Sequence, residues 1–163
     1  MGHLIHRLSL GVCFLLLSAL PGISQASGCE REPDVEAFDF LGRDLQGDEN
    51  FLSEHRGKVV VVTFWESWCK PCRQENPNVV RLFNQYNSKG FEVFGVSLDR
   101  SREDWVKAIA DDKLTWTQVS DLQYFNSAAA VLYQIQAIPA TYLVDPDGKI
   151  IAKDLRGPSL EAK

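Results

Sequence analysis

An α/β layered fold with a partly parallel sheet is what this 163-residue sequence predicts, and three observations predict it. Two runs, Val59 to Trp65 and Phe91 to Leu98, are almost wholly apolar and rich in β-branched and aromatic residues. Strands apolar on both faces are central strands, covered from both sides. Between them Val79, Leu82, Phe83 and Tyr86 recur at helical spacing over Asn78 to Ser88. Towards the C-terminus, Ala140 to Val144 and Lys149 to Asp154 flank D-P-D-G, a turn signal joining two antiparallel strands. Strands that alternate with helices and then close in a hairpin give a sheet with helices on its faces.

The elements follow in order from the N-terminus. His3, His6 and Arg7 precede an apolar run from Leu8 to Leu20, the length of a signal-peptide core and short of the about twenty residues that span a bilayer. Residues 1–28 therefore read as a signal peptide, and two processing routes fit. A peptidase can cut after Ala26, with Ser24 and Ala26 small at the right spacing. Alternatively A-S-G-C is a lipobox and Cys29 the lipidated first residue, although Ala26 stands where Leu is usual and Pro21 interrupts the approach. Cys13 leaves with the leader, so Cys29, Cys69 and Cys72 remain, and an odd thiol in an exported chain calls for a reason. Lipidation of Cys29 supplies one; a spare tail thiol is the alternative. Both routes place the chain outside the cytoplasm, in the periplasm or cell envelope, where disulfides persist.

Residues 29–35, charged and containing Pro33, form a tether, and residues 36–163 suit one domain. E-A-F-D-F and R-D-L around Gly42 predict a small hairpin or extended arm, and S-E-H-R-G-K from Ser53 a short turn or helix. Ser101-x-x-Asp104 resembles a capping box opening a helix with Trp105, Val106 and Ile109 on its apolar side. Trp116 to Val119 reads as a short strand and Ser127 to Tyr133 as a helix. An apolar content of 45% supports a core without a metal staple. Past residue 28 the chain holds 22 acids against 16 bases, a net of −6, and no basic stripe, which excludes nucleic acid as a partner.

The chemistry lies in T-F-W-E-S-W-C-K-P-C-R-Q-E-N-P, Thr63 to Pro77. A zinc clip needs about four ligands, and there is no second cysteine pair and no histidine beyond His55. Haem attachment needs a histidine where Arg73 stands. A peroxidatic cysteine wants Thr three residues before it, where Glu66 is found. No cofactor is expected. A structural disulfide over so short a loop constrains the unfolded chain very little. A reactive dithiol accounts for the position better: Cys69 falls at the seam between a central strand and a helix N-terminus, where free N–H groups favour a thiolate. Pro71 suits the first helical turn, Cys72 follows one turn on, and Lys70 adds a positive charge.

Together F-W-E-S-W-C-K-P-C, R-Q-E-N-P, the later A-I-P-A-T and D-P-D-G-K-I resemble the thioredoxin superfamily, and within it the extracytoplasmic TlpA/ResA-like, AhpC/TSA-related thiol–disulfide oxidoreductases. The resemblance covers about Pro33 to Gly157. It implies a thioredoxin-like fold, a central mixed β-sheet flanked by helices with an N-terminal extension. It implies that Cys69 is the attacking nucleophile and Cys72 the resolving cysteine. Pro139 matches the family's cis-proline beside the disulfide, with Ile138, Pro139 and Trp68 in the substrate-binding surface. Trp65 matches a packing aromatic. Glu75 matches an acid linked, in the ResA-like branch, to thiol titration and to oxidised cytochrome c apoproteins. Cys72 and Glu75 are i, i+3 and share a helix face. Partners implied are disulfide-containing proteins and an upstream membrane thiol donor, with the protein itself a monomer.

Three departures stand out. Thr63 replaces the buried Asp of thioredoxins and cannot act as a base near neutral pH, which leaves Glu75 as the nearby acid–base group. Glu66 replaces a small residue. A carboxylate there raises the Cys69 pKa against Lys70 and the helix terminus, with Lys70, Pro71 and Glu66 as tuning residues; its side chain is expected to point into solvent. Finally, S-L-E-A-K looks like the first turn of the family's last helix. The helix is short or the sequence partial, and apolar sheet surface is expected to be left open. A reductase is the leading function. A disulfide-forming oxidase of the same fold, or a redox-inert binding module using the Pro139 groove, are the alternatives.

Overall fold

Six strands make one mixed sheet in the computed structural model, which describes residues 35–163. Residues 1–28, expected to be a signal peptide, and Cys29 lie outside the described residues. The strands are β1 Val35–Glu36, β2 Leu41–Arg43, β3 Glu49–Phe51, β4 Val59–Trp65, β5 Phe91–Ser97, β6 Thr117–Val119, β7 Ala140–Val144 and β8 Lys149–Lys153. The helices are α1 Lys70–Tyr86, α2 Arg102–Asp112, α3 Ala128–Leu132 and α4 Pro158–Glu161. The sheet order is β1-β8-β7-β4-β5-β6, with β2 and β3 in a separate hairpin. β5 runs parallel to β4 and β6, while β7 is antiparallel to both β4 and β8.

The two all-apolar runs are the inner strands, as their composition requires. Alternation along β4 sends Val60, Val62 and Phe64 into one core with Phe40, Phe94 and Tyr133. Val61 and Trp65 go into the other, with Val93, Leu82 and Trp105. Two cores on two faces explain why neither strand shows polar alternation.

The N-terminal arm divides. Val35, read from the sequence as tether, pairs with Ile150 and so adds β1 to the sheet edge. The β2–β3 hairpin turns on Asp44, whose Oδ1 accepts the Gln46 and Asp48 amides at 2.9 Å each. Leu52–His55 forms a single 3₁₀ turn. α1 begins at Lys70, well before the apolar periodicity, because its first two turns are polar and the cysteine motif itself opens the helix. Pro77 sits inside α1, where it lacks the N–H for a helical bond. Ser101 Oγ caps α2 by accepting the Asp104 amide at 3.2 Å. In the β7–β8 turn, Asp145 Oδ1 accepts the Asp147 and Lys149 amides, and Gly148 adopts φ +89°, a conformation suited to glycine.

α4 is four residues long and buries Leu160. Beside it an apolar groove lined by Val59, Leu82, Phe91, Leu143 and Ile151 stays open, with Ile151 40% exposed. No helix among the described residues is long and apolar enough to cross a membrane.

Candidate active site

Residues 66–69 join the end of β4 to the start of α1, and Cys69 is the N-cap of that helix. Its Sγ accepts the Cys72 amide at 3.2 Å, and its carbonyl accepts the Arg73 amide at 3.0 Å. A sulfur that receives an N–H at a helix N-terminus is held where negative charge is stabilised. Cys69 and Cys72 are joined by a disulfide with their Cα atoms 5.2 Å apart. Both are nearly closed off, Cys69 at 5% exposure and Cys72 at 2%. Lys70 and Pro71 fill the exposed first turn.

The turn before Cys69 is held from two sides. The Ser67 amide donates to both oxygens of Asp99 at 3.1 Å, and the Ser67 hydroxyl donates to Oδ1 at 2.6 Å. Asp99, 2% exposed, also accepts the Ser97 hydroxyl at 2.8 Å. From α1, Arg73 donates to the Ser67 carbonyl at 2.9 Å while its other nitrogens grip Asp112. Asn76 donates to the same Asp112 at 2.6 Å. The Cys69 amide closes the turn on the Glu66 carbonyl at 3.2 Å.

Pro139 follows a cis Ile138–Pro139 peptide at the head of β7. It lines one small cavity with Cys72, Thr63, Glu75 and Arg156. Arg156, on the segment after β8, donates to the Pro139 carbonyl. Glu75 Oε1 accepts the Gly157 amide and the Asn78 side chain, both at 2.8 Å. Ile138 packs against both cores. Trp68 is 66% exposed on the outer side of Cys69, in a shallow pocket with Ser101, Arg100 and Tyr124. Arg100 lies over the Tyr124 ring, 4.4 Å from its centroid. Trp65 is buried, its Nε1 donating to Gln118 Oε1 at 3.0 Å.

Glu66 corrects the sequence reading. Its side chain does not reach solvent; the residue is 0% exposed, and neither carboxyl oxygen receives a hydrogen bond. It directly follows the inner strand β4, whose last residue, Trp65, is itself buried, and opens the turn to α1. Burial first, then the charge of Asp99, pushes its pKa up from 4.5 to about 7, with Arg100 acting in the opposite sense.

The structure thus brings Cys69, Cys72, Glu75, Ile138 and Pro139 to one end of the sheet, with Trp68, Lys70 and Pro71 on its outer rim and Glu66 beneath the turn. Cys29 lies outside the described residues. Sequence reasoning missed Asp99, Asp112 and Arg156 and gave Arg73 no role. Each acts across more than one element, and an isolated charged residue carries no sequence signal for that. The one legible hint was the position of Asp99 immediately after an apolar strand run.

The AhpC/TSA family model matches residues 33–153. The chain is 34% identical over 114 residues to "Thiol-disulfide oxidoreductase ResA" of Geobacillus thermodenitrificans, covering 70% of this chain and 64% of that protein. It therefore spans a little under two thirds of that relative. It is 35% identical over 118 residues to the thioredoxin-like protein YneN of Bacillus subtilis, with 71% of this chain and 66% of that one covered. Among solved structures, the thioredoxin domain of a Bacteroides vulgatus thiol–disulfide oxidoreductase superposes with TM-score 0.74 at 41% identity, covering 79% and 92% of the two chains. A thiol–disulfide oxidoreductase from Bacteroides fragilis gives TM-score 0.73 at 36% identity, covering 78% and 95%.

Proposed function

Because the chain belongs to the AhpC/TSA family, in its TlpA/ResA-like thioredoxin branch, we propose that it is an extracytoplasmic thiol–disulfide oxidoreductase working as a reductase. The observation that carries the reading is a disulfide whose first cysteine caps a helix and receives the Cys72 amide, with Pro139 lining the cavity beside Cys72. In the reduced protein the Cys69 thiolate attacks one sulfur of a substrate disulfide. A Cys69–substrate disulfide forms and one substrate thiolate leaves, to be protonated. Glu75 takes the proton of Cys72, whose thiolate attacks Cys69 Sγ and releases the second substrate thiolate. The substrate has gained two electrons and two protons, and Cys69–Cys72 has become a disulfide that an upstream dithiol donor reduces by the same exchange.

Glu75 fits this role by position: it follows Cys72 at i, i+3 and shares its cavity with Cys72 and Pro139. The leader at residues 1–28 accounts for export, and a lipid on Cys29 for retention at a membrane. Oxidised cytochrome c apoproteins, the substrate class that the sequence resemblance implies, are the first to test; other envelope proteins with cysteine pairs come next.

Cys72→Ser tests the reading. It is expected to accumulate covalent adducts with substrate proteins that disappear when Cys69 is also changed to Ser. Adducts that persist without Cys69, or none at all, overturn the mechanism. Thiol trapping in intact cells fixes the direction: a mostly reduced pair is the reductase, a mostly oxidised pair the oxidase.

A further inference from the structure

Two carboxyl groups lie buried at the inner end of the active-site turn, and their surroundings differ in kind. Asp99 is wrapped in donors: the Ser67 amide, the Ser67 hydroxyl and the Ser97 hydroxyl all point at it. Those donors satisfy both of its oxygens. Glu66 has the same burial and no donor on either oxygen. An unpaired carboxylate in that setting is costly, whereas the neutral acid is tolerated far better. The charged groups acting on Glu66 are Asp99 and Arg100, both on the segment after β5. Arg100 is exposed and stacked on Tyr124, so it offers partial compensation and no hydrogen bond to Glu66. Glu66 stands three residues before Cys69 in the same turn, where the Cys69 amide donates to the Glu66 carbonyl at 3.2 Å, and the exposed Lys70 follows Cys69 as the first residue of α1.

We propose that Glu66 is a tuning residue for Cys69, acting through charge: as a neutral acid beneath the turn it leaves Cys69 free to ionise, and once ionised it opposes the thiolate. Two anions enclosed in one low-dielectric turn disfavour each other, so the Glu66 carboxylate and the Cys69 thiolate are competing states. Cys69 therefore gives up its proton less readily once Glu66 has ionised than while Glu66 is neutral. This rests on the reading of Cys69 as the reactive thiol, but not on the direction of the reaction or on its substrate.

The test measures thiolate formation directly. In the full-length protein carrying Cys72→Ser, the rate of iodoacetamide alkylation at Cys69 is followed by mass spectrometry of the peptide that contains it. It is compared with the same protein carrying Glu66→Gln in addition. At about pH 5.5, where the acid is neutral, the two rates are expected to agree; at about pH 8.5 the Gln variant is expected to react several-fold faster. Glu66→Ala, which puts a small uncharged residue at this place, is expected to give the same pH-dependent ratio and serves if Gln disturbs folding. A ratio of one at both pH values, or one equally displaced at both, overturns the proposal. The second of these is what a purely structural effect produces. Insulin reduction by the unmodified protein is scored separately: its absence sinks the enzymatic reading and leaves the alkylation result standing.

Discussion

Ser67 gives both its amide and its hydroxyl to Asp99, so the residue two places before the nucleophile hangs from the far end of the neighbouring strand. The turn that presents Cys69 is thereby referenced to β5, an element in which Val93, Phe94 and Val96 are core residues. Asp99→Ala leaves the buried Ser97 hydroxyl and both Ser67 donors without this acceptor. The expected loss is about 2–3 kcal/mol, read as a lower urea midpoint. A slackened turn also misplaces the sulfur, and insulin reduction should fall roughly tenfold. Asp99→Asn keeps one acceptor oxygen and should lose less on both counts. Equal stability in the Ala variant would show that the clamp does not hold the turn.

Glu66 makes a separate statement about stability and pH. Its folded-state pKa of about 7 lies above the ordinary 4.5, so across that window the folded chain binds more protons than the unfolded one. Its contribution is therefore fully present below about pH 4.5, is lost as pH rises to about 7, and changes no further above that. A shift of this size corresponds to about 3 kcal/mol. Glu66→Gln removes the titration. The gap in urea midpoint between the Gln variant and the parent should widen in favour of Gln from pH about 4.5 to about 7, then level off. A gap that stays constant across this window contradicts a raised Glu66 pKa.

Arg73 fastens the other side of the turn, holding Asp112 with two nitrogens and the Ser67 carbonyl with a third. The pair is partly buried, with side-chain exposures of 29% and 15%, so it is worth more than a surface ion pair. Arg73→Ala should cost about 2 kcal/mol, because it leaves Asp112 with Asn76 as its remaining donor and the Ser67 carbonyl without Arg73. Screening gives an independent check: roughly 1 M salt should lower the stability of the parent more than that of the variant. Identical salt responses would place the contribution elsewhere.

What the sequence made legible follows from how local each signal is. The buried strands, the α2 cap and the β7–β8 turn are written in neighbouring residues, and the cysteine motif names its own helix start through Pro71. The resemblance gave the AhpC/TSA assignment and the thioredoxin-like sheet, both of which the comparisons bear out. The surroundings of Glu66 were not legible. Whether a carboxyl at a strand end meets solvent depends on the layers packed above it, and the same holds for the partners of Asp99 and Asp112. Nor did periodicity reveal the first two turns of α1, because Arg73 to Asn76 carry no apolar residue to mark a face.

Arg156 closes the site from the third side. It comes from the segment after β8, donates to the carbonyl of Pro139, and lines the cavity that Cys72 and Glu75 share. The resemblance puts Ile138 and Pro139 in the substrate-binding surface, so a tether on the Pro139 carbonyl governs how that surface is presented to the substrate under the proposed function. Arg156 is exposed as a residue, and one hydrogen bond contributes about 1 kcal/mol, so Arg156→Ala should leave the urea midpoint nearly unchanged. The loss should appear in binding instead. With a disulfide-containing peptide, KM should rise about five- to tenfold with kcat little altered, because the tether acts alike on ground and transition states. Arg156→Lys, with a single compact donor group in place of the planar fork, should fall between the two. A variant with normal KM and reduced kcat would instead place Arg156 in the chemical step, beside Cys72 and Glu75, and refute its role as a positioning residue.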